Sequence, residues 1–302
     1  MNKVSQPFDQ QRQRMRRVLP LAVVVFLLIL SQLYAQERFI SLDDVKLRYE
    51  IAGNGPAVVF LHGWGVDLGS WHFLFPSLSD KYTVIRYDRR GFGQSEGRAD
   101  QSLDPIDLRE LLDELKIDRA VLLGHSQGGG SALRFAFAFP ERLNGLILFG
   151  SAPPYGFGLP WNGPDAFPSG LARIAREHGL DSMRAVVYAH PIANGFVEGS
   201  EGLKIVSRMF GAYSGQDLLE PKPSANATPA PHISRLSEIK VPTLVITGEM
   251  EMPYFQIAGD ALAYGIPNAE RVIVAGGGHS VMLQQPESFD REIKEFLARV
   301  YP

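Results

Sequence analysis

Four short and almost wholly apolar runs, Ala57–Leu61, Tyr82–Tyr87, Ala120–Leu123 and Leu146–Phe149, follow one another at intervals long enough to hold a helix. Runs of this length, apolar at nearly every position, read as strands buried on both faces, the habit of a parallel sheet. Between them Leu108, Leu111, Leu112 and Leu115 fall at i, i+3, i+4 and i+7, so a helix is expected over 104–116. Asp104 is expected to cap it, and Pro105 suits its first turn. The preceding stretch, 38–51, partly alternates around Asp43-Asp44 and predicts an opening antiparallel hairpin. After Gly150 the alternation of strand and helix stops for roughly ninety residues rich in Pro, Gly and aromatics. It resumes with Thr243–Ile246 and Arg271–Val274, so the expected fold is an α/β sheet interrupted by an insert.

The N-terminus has a different character. Lys3, Arg12, Arg14, Arg16 and Arg17 precede the uncharged run from Val18 to Leu30, followed by Leu33-Tyr34-Ala35. Basic region, apolar stretch and small residue predict either an export signal cleaved after Ala35 or an uncleaved membrane anchor over 18–35. In both cases the body is expected to be exported, periplasmic or extracellular, with the basic residues left behind.

Removing residues 1–35, with 5 basic and 1 acidic side chains, from the 30 basic and 33 acidic of the whole chain leaves 25 and 32, a net charge of −7. An acidic body without a basic stripe speaks against nucleic acid as a partner. With no cysteine in the chain, disulfides, thiolate metal sites and a cysteine nucleophile are excluded.

Two stretches match Gly-x-Ser-x-Gly: Gly93–Gly97 around Ser95, and Gly124–Gly128 around Ser126. A serine nucleophile in such a motif must stand at a sharp turn between strand and helix, with glycines where side chains would collide. Ser126 directly follows Val121-Leu122-Leu123 and precedes the small-residue run Gly128-Gly129-Gly130-Ser131-Ala132, whereas Ser95 lies well past its strand and leads into polar residues. Ser126 is therefore the expected nucleophile and Ser95 loop structure. Acyl transfer also needs backbone N–H donors for an oxyanion; Gln127, after the nucleophile, and Trp64, in His62-Gly63-Trp64-Gly65 behind the first buried run, occupy the fitting places. His279, in Gly276-Gly277-Gly278-His279-Ser280 after the last strand, is the expected base. For the acid, Gly248-Glu249-Met250-Glu251 offers two glutamates, and either can orient an imidazole.

Together with Asp88–Ser95 and Val241–Glu249, these motifs resemble the α/β-hydrolase superfamily, in the branch of capped esterases, lipases and haloperoxidase-like perhydrolases. The resemblance runs from about Arg38 to the C-terminus. It implies a core formed by 37–152 and 240–302, and a helical cap over the active site formed by 153–239. It places the acid three residues after the strand-ending Gly248, at Glu251, with Glu249 as the alternative. Phe157, Trp161, Phe167, Met183, Tyr188, Phe196, Met209, Phe210 and Tyr213 then fall in the cap, as core packing or as walls of an apolar pocket. The expected activity is hydrolysis of a carboxylic ester or related acyl bond in a small, apolar substrate, with no metal or organic cofactor. Perhydrolysis and a non-catalytic ligand-binding role are the alternatives.

Overall fold

The apolar runs become the centre of a twisted α/β sheet in the computed structural model, which describes residues 36–151, 154, 169–220 and 231–302. Residues 37–302 belong to one unit. Its strands are Gln36–Ser41 (β1), Lys46–Ala52 (β2), Ala57–Leu61 (β3), Thr83–Tyr87 (β4), Ala120–His125 (β5), Leu143–Phe149 (β6), Thr243–Gly248 (β7) and Ala269–Val274 (β8), in the order β1-β2-β4-β3-β5-β6-β7-β8. β2 pairs antiparallel with β4, and from β4 onward every neighbour is parallel. β3, β5 and β7 are buried at every position, as strands covered by helices on both faces must be.

The helices are Leu74–Leu78 (α1), Asp104–Glu114 (α2), Gln127–Ala138 (α3), Ser169–Ala189 (α4), Glu201–Ala212 (α5), Gln216–Leu219 (α6), Pro253–Gly265 (α7), Val281–Gln284 (α8) and Pro286–Val300 (α9). On one side of the sheet, Leu108, Leu111 and Leu112 of α2 join Leu133 and Phe135 of α3 in a core with Val59, Leu122 and Leu148. Asp104 does not cap α2: the N-cap position is Leu103, without a side-chain hydrogen bond. The Asp104 carboxylate instead turns inward to Arg89 and Ser131, 2.7 and 2.5 Å away. A buried, charge-assisted pair outweighs the single bond that a cap provides.

Between β6 and β7 the described residues form α4, α5 and α6. Met183, Val187, Phe210, Tyr213 and Leu218 cluster there with Phe92 of the sheet side, and Trp64 packs against them. Of the aromatics expected in this insert, Phe210 and Tyr213 are thus packed in its core and Tyr188 is 43% exposed. Phe157, Trp161 and Phe167 lie outside the described residues.

The expectation of a transmembrane segment is corrected: among the described residues no helix is long and apolar enough to cross a membrane. Residues 18–35, and the cleavage site after Ala35, lie outside the described residues.

Candidate active site

Register decides which loops meet. Leu61 of β3 lies beside Gly124 of β5, Phe149 of β6 beside Ile246 of β7, and Gly248 of β7 beside Val274 of β8. The loops leaving these strands therefore emerge at one edge, the carboxyl ends where open α/β sheets hold their ligands. Trp64, Ser126, Gly150, Glu251 and His279 all stand on them.

Ser126 joins β5 to α3 with φ 52° and ψ −117°. A non-glycine residue at positive φ is strained and persists only where its surroundings enforce it. Here the Ser126 N–H donates to the Phe149 carbonyl at 2.9 Å, and its own carbonyl receives the N–H groups of Gly129 and Gly130. The motif glycines make the turn possible: a Cβ on Gly128 would lie 2.3 Å from the Leu61 carbonyl oxygen, and one on Gly124 2.5 Å from that of Gly128. Ser95 has a different setting. Its hydroxyl donates to the Asp88 carbonyl at 2.5 Å and accepts the Arg48 N–H at 2.9 Å, which ties a loop together.

His279 is buried with 7% exposure, and its Nδ1 lies 2.8 Å from Oε2 of Glu251, whose side chain is fully buried. The carboxylate can only accept, so Nδ1 carries the proton and Nε2 is left as the acceptor of the neutral ring. The other carboxylate oxygen takes the Met252 N–H at 2.9 Å. Glu249 is exposed and turned away, its Oε2 accepting the Gly276 N–H. Gly150 sits against the pair at φ 47°: a Cβ there would lie 3.1 Å from Glu251 Oε2 and 3.2 Å from His279 Nδ1.

Gln127 opens α3, so its N–H is among the first four of a helix that lack an intrahelical partner. Its side-chain oxygen receives Arg89 at 2.6 Å, and its carbonyl receives Gln101 at 2.7 Å. Arg89, 1% exposed, also donates to the Gly63 carbonyl and to Asp104. One guanidinium thus holds both loops that carry the candidate oxyanion donors. His62 adds to this, placed between Gly63 O and the Arg89 N–H at 2.8 and 2.9 Å. Burial, aided by the charge of Arg89, holds its pKa well below the ordinary histidine value. Trp64 is tied at the other end, its indole N–H donating to Asp217 of α6 at 2.8 Å and its ring packing edge-on against Phe210 and Tyr213.

His125, the residue before Ser126, lies inside the Gly124–Gly128 motif, whose pattern gives it no role. Its Nε2 donates to the His279 carbonyl at 2.8 Å, and its ring stacks on Phe149. Nδ1 is buried and, among the described residues, without a hydrogen bond. Burial first, and the neighbouring His279 second, keep its pKa well below the usual range, so it stays neutral. It fastens the loop of the candidate nucleophile to that of the candidate base. Arg89 also went unassigned in the sequence, because nothing local shows that its partners lie on three other elements.

Ser126 and His279 open onto one cavity of about 320 Å³, walled by Trp64, Val66, Val187, Tyr188, Ile192, Phe196, Leu203, Val206 and Phe210, with Glu198 and Ser280 also on its lining. A separate cavity of about 380 Å³, whose lining includes Arg48, Glu50, Arg86 and Arg208 beside Val66, Leu68 and Met209, contains neither Ser126 nor His279. Among the described residues no group of His, Asp and Glu is arranged to hold a metal ion.

The chain belongs to the alpha/beta hydrolase fold family, whose model matches residues 56–286. Within it, the chain is similar to the 2-hydroxy-6-oxononadienedioate/2-hydroxy-6-oxononatrienedioate hydrolase of Paraburkholderia xenovorans, with 30% identity over 84% of this chain and 91% of the relative. A 3-oxoadipate enol-lactonase of Acinetobacter baylyi is 28% identical over 86% of this chain and 96% of its own length. Among solved structures, a thermophilic esterase from Thermogutta terrifontis superposes with a TM-score of 0.71 at 25% identity, covering 89% of this chain and all of the esterase. The chain is thus an enzyme of the hydrolase class, whose named relatives act on small molecules.

Proposed function

We propose that this protein is a serine esterase that hydrolyses a carboxylic ester or lactone of a small, apolar molecule through an acyl-enzyme on Ser126. The observation that carries this is the meeting of a strained serine at the head of α3 with a His279–Glu251 pair on one apolar cavity. In this reading His279 Nε2 takes the proton as Ser126 Oγ attacks the carbonyl carbon, and Glu251 stabilises the imidazolium that forms. The N–H groups of Trp64 and Gln127 receive the oxyanion. The proton then passes from His279 to the leaving alcohol, and water, activated by the same histidine, releases the acid. Relatives named for enol-lactone and ester hydrolysis support this bond type. The relative named for a dienedioate acts on a doubly acidic compound, which this apolar cavity fits poorly.

Ser126→Ala is expected to abolish stoichiometric labelling by a fluorophosphonate and to lower kcat on p-nitrophenyl butyrate by several orders of magnitude. Ser95→Ala is expected to keep labelling and lose roughly 1–2 kcal/mol of stability through its two hydrogen bonds. The reverse pattern would transfer the role to Ser95. Export through a leader cleaved after Ala35 is part of the proposal. N-terminal sequencing of the protein secreted by a bacterial host tests it, and a mature chain that retains Met1 would refute it.

A further inference from the structure

We infer that the cavity selects against acyl substrates carrying a carboxylate tail, and that Glu198 is a residue that determines this preference. The inference rests on the acyl-transfer reading above. Among the described residues the cavity lining contains no Lys or Arg, and Glu198 is its one carboxylate. Glu198 is exposed on the lining and, among the described residues, no hydrogen bond or ion pair engages it, so its charge is screened by water but not neutralised by a neighbour. Behind His279 stands the buried Glu251. The described lining therefore carries one carboxylate, with a second behind His279, and no Lys or Arg.

Apart from residues 1–35, which the proposed leader cleavage removes, the stretches outside the described residues add little positive charge. Residues 152–168 contain no Lys, Arg or His, and residues 221–230 contain Lys222 alone. A substrate carboxylate brought among Trp64, Tyr188, Phe196 and Phe210 would lose water without gaining a cationic partner, which is costly for an ion. A like charge nearby adds repulsion. An uncharged tail of the same length instead gains by leaving water for the same walls. A cationic tail is tolerated, since aromatic faces and a carboxylate both attract it.

Methyl hexanoate and monomethyl adipate form a matched pair, alike in chain length and ester and differing in a terminal methyl against a carboxylate. By pH-stat at low ionic strength, kcat/KM for the neutral ester is expected to exceed that for the acidic one by roughly 100-fold, the scale of an unpaired charge in an apolar site. Glu198→Arg is expected to shrink that ratio roughly tenfold, and added salt to reduce the effect of the substitution. Calorimetric titration of both esters into Ser126→Ala reads the selection as binding, with the neutral ester at least tenfold tighter. This tests the inference even where the wild type cleaves neither ester, the result that would sink the esterase reading instead. Equal handling of the two esters in the titration, or a ratio indifferent to Glu198→Arg, overturns charge selection.

Discussion

Replacing Glu251 by Gln changes one charge at nearly constant shape. Its Oε2 lies 2.8 Å from His279 Nδ1 and the side chain is shielded from solvent. In the proposed mechanism His279 is neutral at rest and cationic in the transition state, so the attraction counts almost wholly toward kcat. Taking the charge centres about 4 Å apart with an effective dielectric constant of about 20 gives roughly 4 kcal/mol, or a factor of about a thousand. The amide can also donate toward Nδ1 and favour the wrong tautomer, which brings the expected loss in kcat to roughly 10³–10⁴-fold. The Met252 N–H retains an oxygen acceptor, so a melting temperature near that of the wild type is expected. Glu249→Gln, which touches only the Gly276 N–H at the surface, is expected to stay within about threefold of the wild type. The assay is kcat on p-nitrophenyl butyrate for both single variants and the double variant. Near-normal turnover in Glu251→Gln with collapse in Glu249→Gln would refute the reasoning and move the acid to Glu249.

Gly150→Ala adds a methyl group 3.1–3.2 Å from the Glu251–His279 pair at a positive φ; a loss of kcat of at least tenfold with the protein still folded is expected, and unchanged kcat would show that the pair is not held there. Arg89→Met leaves the Asp104 carboxylate buried without its cation, so urea unfolding is expected to lose about 3–5 kcal/mol; a loss below about 1 kcal/mol would contradict this role. Burial pushes the pKa of Asp88 up to about 6 against the N–H groups of Gln94 and Leu68. The folded protein then holds that proton more tightly than the unfolded chain, so the contribution is fully present below about pH 4 and lost as pH rises through 6. The melting-temperature advantage of wild type over Asp88→Asn is therefore expected to shrink between pH 4 and 6 and to level off above; an advantage that grows over this window would reverse the sign of the argument.

Much of the fold was legible along the chain because its signals are local. Buried parallel strands must be apolar at nearly every position, so 57–61, 120–123 and 243–246 announced themselves, and the leucine spacing over 108–115 marked α2. The serine could be read for the same reason: a turn this tight demands glycines at fixed offsets, and only Gly124–Gly128 has both a strand before it and a helix behind it. What the sequence could not settle depended on long-range geometry. The residues alone offered both Glu249 and Glu251, with the family resemblance favouring Glu251, and it is the loop after β7, anchored by the Met250 N–H on the Gly277 carbonyl at 2.8 Å, that turns Glu251 toward His279 and Glu249 to solvent. It read Asp104 as a cap, whereas tertiary packing brings Arg89 within 2.7 Å and makes an internal ion pair the stronger claim on that carboxylate. His125, Gly150 and Glu198 carried no local signal, because their surroundings come from segments up to 154 residues away in sequence. A hydrogen bond or a field acts through space, and only the register of the sheet sets which distant residues share it.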